Sequence, residues 1–210
     1  AVAKKMLSNP VILTIAAVEF CSGYLRNAIM QYYPSYARET HQAGHIVASH
    51  WGMMLCIAGI LGGMFAGVIS DRVFGSRRGP VSAVLYGVMI AGGLAMFGTL
   101  VGGAVGWVVV VMSLAIIGVH GMLSGTASMD FGGKKNTGVA VGIIDGFVYL
   151  GTAAEAVVLG RVLPKDSLAH DASAWWTWPA AILPIAIVGF LLTLRLWNAR
   201  AHSAKAAAAH

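Results

Sequence analysis

Charge is scarce in this sequence. Asp, Glu, Lys and Arg make up 10% of its 210 residues, against roughly 25% in an average soluble domain. With 58% hydrophobic residues and a mean hydropathy of +0.76, a disordered chain is excluded, because disorder needs the opposite balance. An ordinary soluble domain is excluded too, since one core of this size cannot hide so much apolar surface. Cysteine is limited to Cys21 and Cys56, both inside apolar runs, which argues against a disulfide-stapled secreted scaffold. The sequence has neither a Walker lysine loop nor a GxGxxG following a strand. No nucleophile, base and orienter can be assembled, so nothing points to an enzyme or to a cofactor. Metal-ligand spacing is lacking as well: His41, His45, His50, His170, His202 and His210 fall in loops, at loop edges or in the tail. The net charge of +6 does not indicate nucleic acid, because the basic residues occupy short gaps between apolar runs rather than one arm or face.

What is abundant is long apolar sequence. A bilayer core of about 30 Å needs roughly 20 apolar residues in a helix, and six stretches qualify: Pro10–Tyr33, Val47–Ser70, Pro80–Leu100, Ala104–Thr126, Thr137–Arg161 and Ala174–Leu196. The runs are continuous rather than alternating, which favours helices over a lipid-facing barrel. The expectation is an all-α membrane protein with six transmembrane helices and no room for a soluble domain. Ten of the 14 Lys and Arg residues (Lys4, Lys5, Arg72, Arg77, Arg78, Lys134, Lys135, Arg195, Arg200 and Lys205) fall on one side. Three (Arg38, Arg161 and Lys165) fall on the other, and Arg26 is left within the membrane. The richer side is cytoplasmic, which puts both ends of the segment inside. Residues 1–9 then form a basic cytoplasmic linker, 10–197 the bundle, and 198–210 a disordered, Ala-rich cytoplasmic tail. The basic start running straight into a helix is expected of a piece of a longer polypeptide.

Glycine is also frequent, at 27 residues. Gly59, Gly63 and Gly67 recur every four residues in the second span, Gly138, Gly142 and Gly146 do so in the fifth, and the fourth carries Gly121 and Gly125. Residues four apart share a helix face, so these are expected to be grooves where backbones pack closely.

Polar residues inside such spans are costly and therefore informative. Arg26 lies in the outer half of the first span, where a central Arg costs about 2.5–3.5 kcal/mol and needs a partner or an aqueous cavity. Glu19 and Ser22 share its face and Asn27 adjoins it. Either Glu19 and Arg26 form a structural ion pair, Arg26 snorkels to the interface, or Arg26 is a fixed cation in a central cavity, suited to phosphate by its planar two-pronged donor set. In the fifth span Asp145, Tyr149, Thr152 and Glu155 fall on one side, a polar stripe expected to face the bundle interior. It provides either helix contacts or substrate-hydroxyl acceptors and proton-coupling carboxylates. His120, with Ser113 and Ser124 on its face, is either a satisfied core residue or a phosphate donor.

The loop Ser70-Asp71-Arg72-Val73-Phe74-Gly75-Ser76-Arg77-Arg78-Gly79 alternates acid and base at a helix end. It resembles the loop signature of the major facilitator superfamily, in the longer form found in its organophosphate:inorganic phosphate antiporters, the glycerol-3-phosphate and hexose-phosphate transporter-like proteins. Tyr24-Leu25-Arg26-Asn27 followed by Tyr33-Pro34-Ser35-Tyr36 is similar to their seventh helix. Met129-Asp130-Phe131-Gly132-Gly133-Lys134-Lys135, then Gly142-Ile143-Ile144-Asp145-Gly146 and Tyr149-Leu150-Gly151, is similar to their tenth-to-eleventh helix connection. The resemblance runs from about Asn9 to Trp197. One departure is Cys56-Ile57, where glycerol-3-phosphate members tend to carry a polar or acidic residue.

The resemblance implies helices seven to twelve of a twelve-helix carrier, a half built from two inverted three-helix repeats. It implies a partner, the amino-terminal six-helix half, with substrate bound between the halves. Arg26, Asn27, His120, Asp145 and Tyr149 would bind substrate. Glu19 and Glu155 would serve as ion-pair or proton-coupling groups, and Asp71, Arg72, Arg77 and Arg78 as the cytoplasmic gate. The expected activity is exchange of a phosphorylated metabolite for inorganic phosphate by alternating access, in a bacterial inner membrane. Two other readings stay open: a proton-coupled carrier of a different solute, and a non-transporting membrane sensor of phosphate esters.

Overall fold

The structure, a computed structural model, describes residues 8–127 and 137–198. The expected basic linker and tail lie outside these residues except for Ser8, Asn9 and Asn198, and so do Lys134, Lys135 and the Met129–Lys135 motif. Every regular element among the described residues is helical. Helix α1 spans Pro10–Met30, with Pro10 in its first turn and the Asn9 side chain accepting the Val11 N–H at 2.9 Å. A break at Gln31 separates it from α2, Tyr32–Glu39, whose first turn holds Pro34. A proline ring is accommodated in the first turn of a helix, where its missing N–H has no intrahelical acceptor to lose. The short α3 (Ile46–Ser49) leads into α4 (Trp51–Val73), and a turn with Gly75 and Ser76 at positive φ reverses the chain into α5 (Arg78–Thr99). Helix α6 (Val105–His120) continues as a π-helix over Gly121–Ala127. Helix α7 spans Thr137–Val162, two 3₁₀ turns follow at Asp166–His170 and Ala172–Trp176, and α8 spans Thr177–Arg195.

Five helical stretches are long and apolar enough to cross a membrane: Trp51–Val73, Arg78–Thr99, Val105–Gly125, Thr137–Val162 and Ala172–Arg195. Six were expected. Helix α1 has a span's length, 21 residues, but Glu19, Ser22, Arg26 and Asn27 make it more polar than the other five. The described residues therefore establish an all-helical membrane protein with five such spans.

Side-chain burial concentrates between α1, α5, α6 and α8. Helix α1 packs most extensively on α7, α8 on α5, and α4 on α6. All three bring backbone against backbone, α5 meeting the end of α8 where a Cβ on Gly79 would stand 2.2 Å from the Leu196 carbonyl oxygen. A Cβ on Gly23 would stand 2.0 Å from the Val148 carbonyl oxygen, and one on Gly151 would stand 2.0 Å from that of Phe20, so α1 and α7 touch; the hydrogen bonds Thr152–Gly23 and Glu155–Asn27 make them parallel. Between α4 and α6, a Cβ on Gly62 would stand 2.3 Å from the Leu114 carbonyl oxygen, and one on Gly118 2.9 Å from that of Gly62. These are not the expected grooves. Of the four-spaced glycines, a Cβ added at Gly63, Gly67, Gly121, Gly125, Gly138, Gly142 or Gly146 would meet nothing within 4 Å among the described residues, and one at Gly59 would make only ordinary contact with Ile117. The close-packing glycines are the ones whose absent side chain lies on the inner face, a matter of helix rotation rather than spacing.

An aromatic cluster closes the end of the bundle away from the Asp71–Arg78 loop. Tyr36 packs edge-on against Trp175 at 5.2 Å and beside Trp178 at 5.6 Å between ring centres. Its hydroxyl donates to the Leu100 carbonyl, and the Trp178 Nε1–H donates to the Ala28 carbonyl at 2.8 Å. Each polar tip finds a backbone acceptor, as buried Tyr and Trp require.

Candidate substrate site

Helix α1 carries two tiers of polar residues about 10 Å apart along its axis, given seven residues between Glu19 and Arg26. In the first tier Glu19 is fully buried and its Oε2 lies 2.8 Å from Nδ1 of His120, near the end of α6. The His120 side chain keeps 28% of its surface exposed, so the pair has one buried and one open member. At the same level the Ser124 hydroxyl, in the π-helix, donates to Asp145 on α7. The wider turn of the π-helix accompanies this placement of Ser124; such turns recur at functional sites.

In the second tier Asn27 Nδ2 donates to Glu155 Oε2 at 2.5 Å. Glu155 is fully buried. Thr152, one turn back on α7, donates to the Gly23 carbonyl at 3.3 Å and to its own Val148 carbonyl at 3.2 Å. Arg26 is half-buried and makes no hydrogen bond or ion pair among the described residues. The Glu19–Arg26 ion pair weighed from the sequence is therefore absent, because Glu19 turns to α6 and is held by His120. Of the intramembrane charges, Glu19, Asp145 and Glu155 each have a polar partner, while the guanidinium is left available.

Tyr149 departs from the expected inward stripe. It is 69% exposed, on a face of α7 that meets nothing else in the described residues, whereas Asp145, Thr152 and Glu155 all make inward contacts. Spacing put it within 120° of its neighbours; the tight approach of Gly151 to α1 sets the rotation that turns it out.

The four loop residues gather at the α4–α5 turn. Asp71 Oδ1 accepts from the Ser76 hydroxyl at 2.9 Å and lies 3.4 Å from Arg78 Nη1, which also donates to the Ser70 hydroxyl at 2.9 Å. Arg77 Nε–H donates to the Phe74 carbonyl at 3.1 Å. Arg72 is exposed. The turn is thus braced by Asp71 and Arg78, with Arg72 outside the brace.

The pairings were the part missed by sequence reasoning. Every polar residue involved stood out in its apolar run, but nothing local says that Glu19 meets His120 rather than Arg26, or that Asn27 meets Glu155. No group of three or more His, Cys, Asp or Glu side chains among the described residues is placed to hold a metal ion.

The family model for the Major Facilitator Superfamily matches residues 1–154. A probable hexose phosphate transport protein of Chlamydia trachomatis is 27% identical over 204 residues, 94% of this chain and 42% of that protein. The membrane sensor protein UhpC of Salmonella typhimurium is 29% identical over 212 residues, 95% of this chain and 44% of that one. The glycerol-3-phosphate transporter of Bacillus subtilis is 30% identical over 173 residues, 76% of this chain and 36% of the transporter. The chain thus spans less than half the length of the curated relatives it matches. No solved structure matches it.

Proposed function

The chain belongs to the Major Facilitator Superfamily, with the organophosphate:inorganic phosphate antiporter family as its match within it, and from that premise we propose that it is the carboxy-terminal half of a carrier. The carrier exchanges a phosphorylated metabolite, glycerol 3-phosphate or a sugar phosphate, for inorganic phosphate by alternating access in a bacterial inner membrane, both ends of this segment being cytoplasmic. The observation that carries the reading is Arg26, a half-buried guanidinium with no hydrogen bond or ion pair among the described residues and only the through-space charge of Glu19 acting on it, beside carboxylates that each have a hydrogen-bonded partner. A cation so placed is stabilised by a bound oxyanion, and its two parallel donors suit a phosphate.

In this reading Arg26 and Asn27 grip the phosphate from the second tier, while His120 and Asp145 meet the substrate from the first. Tyr149 reaches it from the exposed face of α7, and Glu19 and Glu155 hold His120 and Asn27 in place. Asp71, Arg72, Arg77 and Arg78 form the cytoplasmic gate. The pattern of helix contacts supports two inverted three-helix repeats: when the first three spans are exchanged with the last three, the α1–α7 contact maps onto α6–α4, and α8–α1 onto α5–α6. The missing half covers α4 and α7, the two least buried spans, whose glycines at 63, 67, 138, 142 and 146 face open space. Small residues allow the close helix approach that membrane interfaces use.

The test is counterflow by the full-length protein in liposomes. Labelled glycerol 3-phosphate or glucose 6-phosphate enters when phosphate is loaded inside and does not enter otherwise. Uptake that ignores internal phosphate and collapses with an uncoupler overturns exchange in favour of proton coupling by Glu19, Asp145 or Glu155. Similarity to a membrane sensor protein favours a second reading, in which the full protein binds phosphate esters and carries none; saturable binding without flux would establish it.

A further inference from the structure

A cavity of about 580 Å³ lies at the end of the bundle opposite the Asp71–Arg78 loop, away from Arg26. Its rim bears Tyr32, Ser35 and Glu39 from α2 and Lys165, Asp166 and His170 from the strap after α7. Its floor is apolar, with Leu159, Leu163 and Trp175. The strap is tied down: His170 Nδ1–H donates to the Glu39 carbonyl at 3.0 Å and lies 3.8 Å from the Glu39 carboxylate, and Trp175 Nε1–H donates to the Ala169 carbonyl at 2.9 Å. The His170 ring also stacks on His41 at 5.6 Å. On one side the wall is open, since nothing stands within 4 Å of a Cβ at Gly160, and Val158 and Val162 beside it are exposed.

The rim carries both signs of charge. Glu39 and Asp166 would repel a free phosphate dianion, and Lys165 would repel a simple cation. A ligand with separated charges of opposite sign matches both. Its cationic end reaches the two carboxylates and its phosphate reaches Lys165, while an apolar part leaves over the floor and the exposed valines. Trp176, 56% exposed at the same level, marks the depth of the membrane interface, where aromatic side chains collect. We propose that this cavity binds the headgroup of a zwitterionic aminophospholipid. A primary ammonium, which donates hydrogen bonds to carboxylates, is preferred over a quaternary one, which has none to give.

Native mass spectrometry of the full-length carrier tests this with phosphatidylethanolamine, phosphatidylcholine and phosphatidylglycerol of identical acyl chains. The expected result is retention of phosphatidylethanolamine about tenfold over the other two, the worth of one charge-assisted hydrogen bond. Glu39→Gln keeps the backbone carbonyl that holds His170, removes only the longer ion pair between the two side chains, and erases the preference for the primary amine. Lys165→Ala, at an exposed residue, weakens both zwitterionic lipids alike. Equal retention of phosphatidylglycerol overturns the proposal, as does a preference that survives both substitutions. Displacement of the lipid by glycerol 3-phosphate also overturns it, by giving the cavity to the transported solute. None of these results depends on whether Arg26 binds phosphate.

Discussion

Oε2 of the buried Glu19 lies 2.8 Å from Nδ1 of His120, which takes from Arg26 the carboxylate nearest to it along its own helix face. That choice separates the structural role of the carboxylate from the binding role proposed for the cation. It also fixes the imidazole by one nitrogen and leaves the other ring nitrogen directed away from Glu19.

Removing one member of this pair strands the other. His120→Ala leaves a fully buried carboxylate without its partner, and breaking a buried pair in this way costs about 3 kcal/mol or more. The double variant Glu19→Gln/His120→Ala recovers part of that loss. Thermal unfolding of the detergent-solubilised protein measures both, together with the Glu19→Gln single variant; a loss in the double variant equal to the sum of the two single losses would show that the pair is not coupled.

Gly151 and Gly146 separate packing from spacing. A methyl at Gly151 meets the Phe20 carbonyl at 2.0 Å, so Gly151→Ala must part α1 from α7 and destabilises by about 1–3 kcal/mol. Gly146→Ala meets nothing within 4 Å among the described residues and leaves their stability unchanged; if the proposed amino-terminal half packs there, the substitution acts only on that association. Unfolding and co-purification of separately expressed halves distinguish the two effects.

At the α4–α5 turn, Asp71 ties Ser76 and Arg78 together across two positive-φ residues. Asp71→Asn retains the acceptor for Ser76 and weakens the pull on Arg78. If the turn acts as the gate, the substitution slows exchange several-fold without loss of folded protein, as judged by size-exclusion chromatography. A rate matching wild type would restrict these charges to fixing topology.

Asp171 caps the second 3₁₀ turn. The Ser173 side chain and backbone N–H, at 2.7 and 2.8 Å, hold its carboxyl below the ordinary carboxylate range. Because the folded value is depressed, the stabilisation is complete above the ordinary aspartate value near 3.9 and fades as pH falls through the lowered one. The strap therefore stays ordered from neutral pH down to about pH 4, and loosens below it. Hydrogen exchange at Ser173 against pH follows this; protection already lost at pH 6 would rule the cap out.

The long apolar runs were enough to place the helices, because burying twenty apolar residues in a bilayer dominates every local preference. Element ends were less readable. The break at Gln31 depends on Pro34 in the following turn, and α8 begins at Thr177 because residues 166–176 form the strap. The π-helix at Gly121–Ala127 has no distinctive residue pattern beyond its glycines. At the site, Arg26, His120, Asp145 and Glu155 were all visible as polar residues in apolar surroundings. Their pairings were not, because these follow from the relative depth and rotation of α1, α6 and α7. Those in turn are set by backbone contacts at Gly23, Gly62 and Gly151, glycines outside the four-residue series. Tyr149 shows the same limit from the other direction, since its helical phase alone pointed it inward.

The most direct measurement is phosphate-driven counterflow by full-length carrier bearing Arg26→Lys, beside wild type at equal reconstituted amounts. Lysine keeps the charge and loses the two parallel donors. Loss of one or two charge-assisted hydrogen bonds predicts exchange reduced about 10- to 100-fold, with the fold intact. Exchange at the wild-type rate would contradict the assignment of Arg26 as the phosphate-binding group.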